Sequence, residues 1–201
     1  VDPANVGGAV TGGTTICSGN TSGLLTLAGN TGLVVKWQSS VSPFSTWTDI
    51  VNSAVTYTSG VLTQTTQFRA VVQSGVCPQV NSTATTVMVD PISVGGTATA
   101  TQSTIGSTTI TLAGSTGNIQ WQTDASGSFV NIPSATNSTY TTPSLSSTTS
   151  YRAILTSGVC ISSTSTVAIV TVNSLPTVTV NNQTVCQGNL ATVTATPSPS
   201  P

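Results

Sequence analysis

The 201-residue sequence has no histidine and no glutamate, and it holds three basic residues against four aspartates. Without histidine there is no Ser-His or Cys-His dyad. The acids are Asp2, Asp49, Asp90 and Asp124, and nothing in their spacing pairs them for acid–base work. Gly7-Gly8 and Gly95-Gly96 follow strand-like residues and open no helix, so no phosphate-cradling loop is expected. One aspartate per repeat junction (Asp2, Asp90) is too few for calcium, which takes six to eight oxygens. No catalytic residue, metal or cofactor is therefore named. Three scattered cations argue against nucleic acid and anionic membrane surfaces. No apolar run reaches the roughly 18 residues of a membrane span, no signal-peptide pattern opens the chain, and no window carries a helical period.

What is present is a repeat. Val89-Asp90-Pro91-Ile92-Ser93-Val94-Gly95-Gly96 restates Val1-Asp2-Pro3-Ala4-Asn5-Val6-Gly7-Gly8 at an offset of 88 residues. Thr26-Leu27-Ala28-Gly29 returns at Thr111 to Gly114, and Trp37-Gln38 at Trp121-Gln122. Thr56-Tyr57-Thr58 returns at Thr139 to Thr141, Phe68-Arg69-Ala70 as Tyr151-Arg152-Ala153, and Ser74-Gly75-Val76-Cys77 as Ser157 to Cys160. The offset shrinks to 83 along the way, as short loop deletions would make it do. Such a period reads as a tandem array. The expected domains are 1–88, 89–173 and the start of a third at 174–201, where Thr184-Val185-Cys186-Gln187-Gly188 echoes Thr15-Ile16-Cys17-Ser18-Gly19. Both ends read as cuts from a longer protein.

Threonine, serine, valine and glycine dominate, a β-sheet vocabulary, and apolar residues alternate. Leu25 and Leu27 share one face, as do Val35 and Trp37, with Lys36 and Gln38 opposite. Phe68, Ala70 and Val72 form an inward row, with Arg69, Val71 and Gln73 outward; Thr85, Val87 and Val89 share a face. Ile110 and Leu112, Ile119 and Trp121, and Tyr151, Ala153 and Leu155 repeat the pattern. Short alternating strands about 85 residues per unit predict an all-β fold of tandem immunoglobulin-like sandwiches.

Trp37, Trp121, Phe68 and Tyr151 are expected in the cores. Trp47, Phe44 and Phe129 fall at loop or edge positions, so they are the candidate contact residues, with a core lid as the alternative. Arg69 and Arg152 are expected to donate to loop carbonyls. The order Cys17, Trp37, Cys77 is immunoglobulin-like and suggests a Cys17–Cys77 disulfide in an oxidising compartment; two buried free thiols are the alternative. Cys160 then lacks a mate in its own unit, and a Cys160–Cys186 link stays open.

The segments Thr14 to Gly19, Leu25 to Gly32, Val34 to Ser40, Thr56 to Thr58, Thr65 to Cys77 and Thr85 to Pro91 with Val94 to Gly96 resemble Ig-like repeats of very large surface proteins of Bacteroidota, among them adhesins and filaments exported by a type IX route. The resemblance covers both full units and the opening of the third. It implies an extracellular stalk or spacer whose partners are neighbouring repeats and, in a fibre, other copies, with receptor or glycan binding elsewhere. A binding module centred on the edge aromatics is the other reading.

Overall fold

The computed structural model describes all residues except 101–105, 174–176 and 199–201, and every regular element among the described residues is a β-strand. Two compact units divide the chain: Val1–Gly95 with Gly114–Ile119 and Ile154–Thr164, and Gly96–Ala113 with Gln120–Ala153 and Ser165–Pro201. The first compact unit thus takes in stretches of both sequence repeats. Ile154–Thr164 joins the first because Asp90 and Ser93 hydrogen-bond to it.

In the first unit, β1 (Ala9–Thr11), β3 (Leu25–Ala28) and β6 (Thr56–Tyr57) form a three-stranded sheet ordered β1-β3-β6. The facing sheet runs β2 (Thr15–Cys17), β9 (Thr85–Asp90), β7 (Thr66–Gln73), β4 (Leu33–Val41) and β5 (Thr48–Ile50), with β8 (Val80–Asn81) also on β7. All these pairs are antiparallel except β2 on β9. A parallel first-strand segment on the last strand, with hairpin strands beyond it, is the order of an immunoglobulin-like sandwich. The core draws on both sheets: Val10, Leu25 and Leu27 from one, Trp37, Phe68, Ala70, Val72 and Val87 from the other.

Two parity expectations fail. The β4–β7 register shifts between Val34 and Lys36, so Val34 and Trp37 are buried while Val35 is 41% exposed. A bulge inserts one extra residue and flips the alternation behind it. Val71, expected outward, is also buried, so β7 is covered on both faces there.

In the second repeat, β10 (Thr97–Ala100), β11 (Thr109–Ala113) and β14 (Thr139–Thr141) form one sheet. The other is ordered β13 (Val130–Asn131), β12 (Asn118–Thr123), β15 (Thr149–Thr156) and β16 (Ser163–Thr164), with β17 (Ala168–Val170) also on β15. Ile110, Leu112, Trp121, Tyr151 and Ala153 are buried. β18 (Val178–Val180) pairs with β19 (Ala195–Pro197), and every residue of that hairpin is exposed.

The tryptophans have matched partners. Trp37 Nε1 donates to Ala54 O and Trp121 Nε1 to Asn137 O, each at 2.9 Å, which satisfies a polar group that burial would otherwise strand. Tyr57 lies between Trp37 and Phe68 at centroid distances of 5.5 and 5.7 Å, and Tyr140 between Trp121 and Tyr151 at 6.4 and 5.9 Å.

Candidate functional site

Two features recur in both repeats at matching positions, and both use the few charged residues of the chain. The first is a cysteine turn held by an aspartate. After β7, Ser74-Gly75-Val76-Cys77 turns back with Gly75 at φ 50°, and Cys77 N donates to Ser74 O at 3.0 Å. Asp2 accepts from Val76 N at 3.2 Å, Asn5 Oδ1 accepts from Ser74 N, and Cys77 Sγ lies 3.8 Å from Pro3 O. After β15, Gly158 has φ 45°, Cys160 N donates to Ser157 O at 2.9 Å, and Asp90 accepts from Val159 N at 3.0 Å. Ser93 Oγ accepts from Ser157 N at 3.0 Å, and Cys160 Sγ lies 3.7 Å from Asp90 O.

Glycine is required in both turns for two reasons. Its φ is left-handed, where a Cβ is strained. A Cβ at Gly75 would also overlap the Asp2 carboxylate, and one at Gly158 the Asp90 carboxylate. The carboxylates that sequence reasoning weighed as calcium ligands are therefore turn clamps. Among the described residues no three His, Cys, Asp or Glu side chains come together.

The cysteines pair otherwise than expected. Cys17 is bonded to Cys160, with Cα atoms 4.9 Å apart, and Cys77 and Cys186 are free. The register explains it. Cys17 sits opposite Asp90 at the end of β9, whereas β7 runs antiparallel with Thr66 opposite Val87. Cys77 follows the far end of β7, about 20 Å of strand away, and a disulfide needs Cα atoms within about 7 Å. Asp90 instead brings Cys160 to Cys17: its carboxylate clamps the Cys160 turn while its carbonyl accepts from Ser18 N at 2.8 Å. A cavity of about 310 Å³ beside the bridge is lined by Ser18, Asn20, Ile92, Val159 and Ile161 with the two cysteines, and its lining is mostly apolar.

The second feature is a polar ladder on the outer face of β4, β5 and β7. Lys36 Nζ pairs with Asp49 Oδ2 at 2.7 Å, and Gln38 Nε2 donates to Asp49 Oδ1 at 2.7 Å. Arg69 Nε donates to Gln38 Oε1 at 2.8 Å, and its guanidinium stands 3.9 Å over the Trp47 ring. The Gln38 bond, then the Lys36 bond, holds the Asp49 carboxyl below the usual carboxylate range, and burial lowers the Arg69 guanidinium. The second repeat keeps the ladder with neutral substitutes. Arg152 Nε donates to Gln122 Oε1 at 2.8 Å, Gln122 Nε2 to Asn131 Oδ1 at 2.8 Å, and Arg152 stands 4.0 Å over Phe129. Gln120, at the Lys36 position, donates instead to Ile132 O at 2.8 Å.

Trp47 and Phe129 are thus half-buried rings each capped by an arginine on one face, and the arginines reach glutamine side chains rather than loop carbonyls. Phe44 is half-buried with φ 63°, after the cis Ser42-Pro43 bond, and no ring contact joins it to Trp47 among the described residues. Sequence reasoning missed the Lys36–Asp49 pair, although both members change together in the second repeat, to Gln120 and Asn131.

The internal likeness of the repeats has a counterpart in a known family, described as Domain of unknown function (DUF8696), whose model matches residues 6–91 and again 94–174. The chain belongs to that family. The first DUF8696 match holds Trp37, Arg69 and Cys77, and the second Trp121, Arg152 and Cys160. Asp90 falls in the first match, while the turn it clamps falls in the second. No curated protein matches the chain.

Solved structures show some likeness, among them three extracellular-type or modular examples. The chicken CNTN1 FN1-FN3 domains are 14% identical with a TM-score of 0.40, covering 78% of this chain and 66% of that one. The Clostridium thermocellum CbhA fibronectin(III)-like modules are 15% identical with a TM-score of 0.33, covering 81% and 93%. Drosophila OTK extracellular domains 3-5 are 12% identical with a TM-score of 0.36, covering 88% and 68%. The fold assignment rests on the sheet order and shared core described above.

Proposed function

We propose that this chain is a run of structural repeats, a stalk or spacer segment of a long extracellular adhesin or surface filament of the Bacteroidota type, with no catalytic part. The observation that carries the reading is the aspartate-clamped cysteine turn, built twice to one plan, with one copy covalently tied to the sequence repeat before it by Cys17–Cys160. A clamped turn that recurs with the period, with a covalent tie between two successive repeats, suits a rod of repeats better than an isolated binding module. The repeats of this reading are 1–88, 89–173 and 174–201.

The disulfide belongs to an oxidising compartment, which supports an extracellular place. The scarcity of charge removes repulsion between neighbouring chains and so favours bundling into a fibre. Partners in this reading are neighbouring repeats and other copies, while a receptor or glycan is met by other segments.

Negative-stain electron microscopy of the native protein released from the cell surface tests this. Beaded threads or fibres with a repeat of a few nanometres are expected. Compact particles without a repeat, or hydrolytic activity in the purified chain, would sink the proposal.

A further inference from the structure

The Cys17–Cys160 bridge changes which part of the chain carries a pull. Tension along a polypeptide runs through its covalent bonds, and a disulfide is one of them. A load that enters upstream of Cys17 and leaves downstream of Cys160 crosses from sulfur to sulfur, and residues 18–159 carry none of it. That unloaded loop runs from β3 through β15. It holds Trp37, Phe68, Trp121 and Tyr151, the buried rings on which both cores are built.

The span of the bridge decides how much is sheltered. A Cys17–Cys77 bond would shelter the first repeat alone, whereas the observed pair closes a separation of 143 residues across both. With the bond intact, its two Cα atoms are 4.9 Å apart. With the bond open, the same two points can separate by about 500 Å, 143 residues at about 3.5 Å each. Only hydrogen bonds then resist, among them those that Asp90 accepts from Ser18 N and Val159 N, and these yield far more readily than a covalent bond.

We propose that Cys17–Cys160 is a redox-gated stop on extension. Closed, it keeps both cores out of the line of load; opened by a small-molecule thiol, it releases residues 18–159 as a reserve of length. Both cysteines are half-buried and line the cavity of about 310 Å³, whose lining includes the exposed Ile92, Val159 and Ile161, so a small thiol has a way to the sulfurs. That the chain is under tension in life rests on the stalk reading. The stop itself does not, because it follows from which two cysteines are bonded.

Opening is thiol–disulfide exchange. The thiolate of a small thiol such as glutathione attacks one sulfur, the S–S bond breaks, and the other cysteine leaves as a thiolate that takes up a proton. A second small thiol resolves the mixed disulfide, so one protein disulfide and two small thiols become two cysteine thiols and one small disulfide.

The test pulls single molecules of the purified chain by handles on its two ends and reads the extended length. Oxidised wild type is expected to stop about 500 Å short of the same chain in dithiothreitol. Cys17→Ser is expected to reach the full length without reductant, a reading that does not depend on how well the variant folds. Cys77→Ser is expected to behave as wild type. At constant load, reduced glutathione is expected to release the reserve at a rate that rises with its concentration. Oxidised wild type reaching full length overturns the proposal. So does a gain of only about 200 Å in dithiothreitol, the 60-residue separation of a Cys17–Cys77 bridge, and so does a release rate indifferent to the thiol. None of these outcomes depends on the native assembly, so the stop and the stalk reading fail separately.

Discussion

The carboxylate of Asp90 accepts the amide hydrogen of Val159, 69 residues further on, at 3.0 Å. The same residue's carbonyl takes Ser18 N, so one aspartate organises both cysteine-bearing segments of the bridge. Asp90→Ala leaves the turn without its clamp and is expected to cost about 1 kcal/mol, the net worth of a hydrogen bond to a partly exposed charged group. Urea unfolding measures the cost, and faster reduction of Cys17–Cys160 at low dithiothreitol should accompany it. An unchanged reduction rate would show that the clamp does not hold the bridge.

Gly158→Ala should be worse than an ordinary loop substitution. The left-handed φ alone costs about 1–2 kcal/mol, and the new Cβ meets the Asp90 carboxylate. A double-mutant cycle with Asp90→Ala separates the two: the φ cost stays, the overlap vanishes, and the pair should be non-additive. Strict additivity would contradict the close packing of Gly158 on Asp90.

Cys17 and Cys160 are 143 residues apart in sequence. A loop that long gives about 5 kcal/mol of stabilisation on chain-entropy grounds, toward the top of the usual range. Dithiothreitol, or Cys17→Ser, should therefore lower the unfolding midpoint sharply, and Cys77→Ser should not. Equal effects of Cys17→Ser and Cys77→Ser would mean that the expected intra-repeat bridge forms in solution after all.

The ladder makes an acid-sensitive contribution. The Asp49 carboxyl is depressed in the folded state by Gln38 and Lys36. Its stabilisation is present above the ordinary carboxylate value of about 4 and is lost as pH falls through the lower folded value. Asp49→Asn should flatten the acid limb of the stability curve, as read by thermal melts between pH 2 and 5. At the alkaline end, burial raises the Tyr57 and Tyr151 phenols, so stability should fall as pH rises past their ordinary value of about 10.

The arginine–aromatic stack is open to a direct measurement. A cycle of Trp47→Ala and Arg69→Ala should show coupling of about 0.5–1 kcal/mol, as for cation–π pairs near the surface. A glycan array probed with wild type and Trp47→Ala would reveal whether the Trp47 ring binds sugar.

The two tryptophans, the inward rows and the 88-residue period were legible because each is a local pattern repeated twice, so chance matches cancel. Tyr57 and Tyr140 stood in the repeated Thr-Tyr-Thr but were not read as core, since a two- or three-residue strand is too short to show alternation. The bulge at Val35 was invisible for a related reason: one extra residue shifts a period-two pattern without changing its composition. The ladder was half visible, in the joint replacement of Lys36 and Asp49 by Gln120 and Asn131.

The sequence by itself determined that this is an all-β chain of repeats, that its cores centre on Trp37 and Trp121, and that Ser-Gly-Val-Cys recurs in both repeats. Those facts follow from alternation and recurrence, which are carried by neighbouring residues. Only the tertiary structure decided which cysteine meets which, because that depends on which end of a sheet each strand terminus occupies. Cys17 and Cys77 bracket Trp37 in order but lie off opposite ends of the antiparallel β7–β9 pair. Strand direction and register are properties of the folded sheet, and they place Cys160 rather than Cys77 within bonding reach of Cys17.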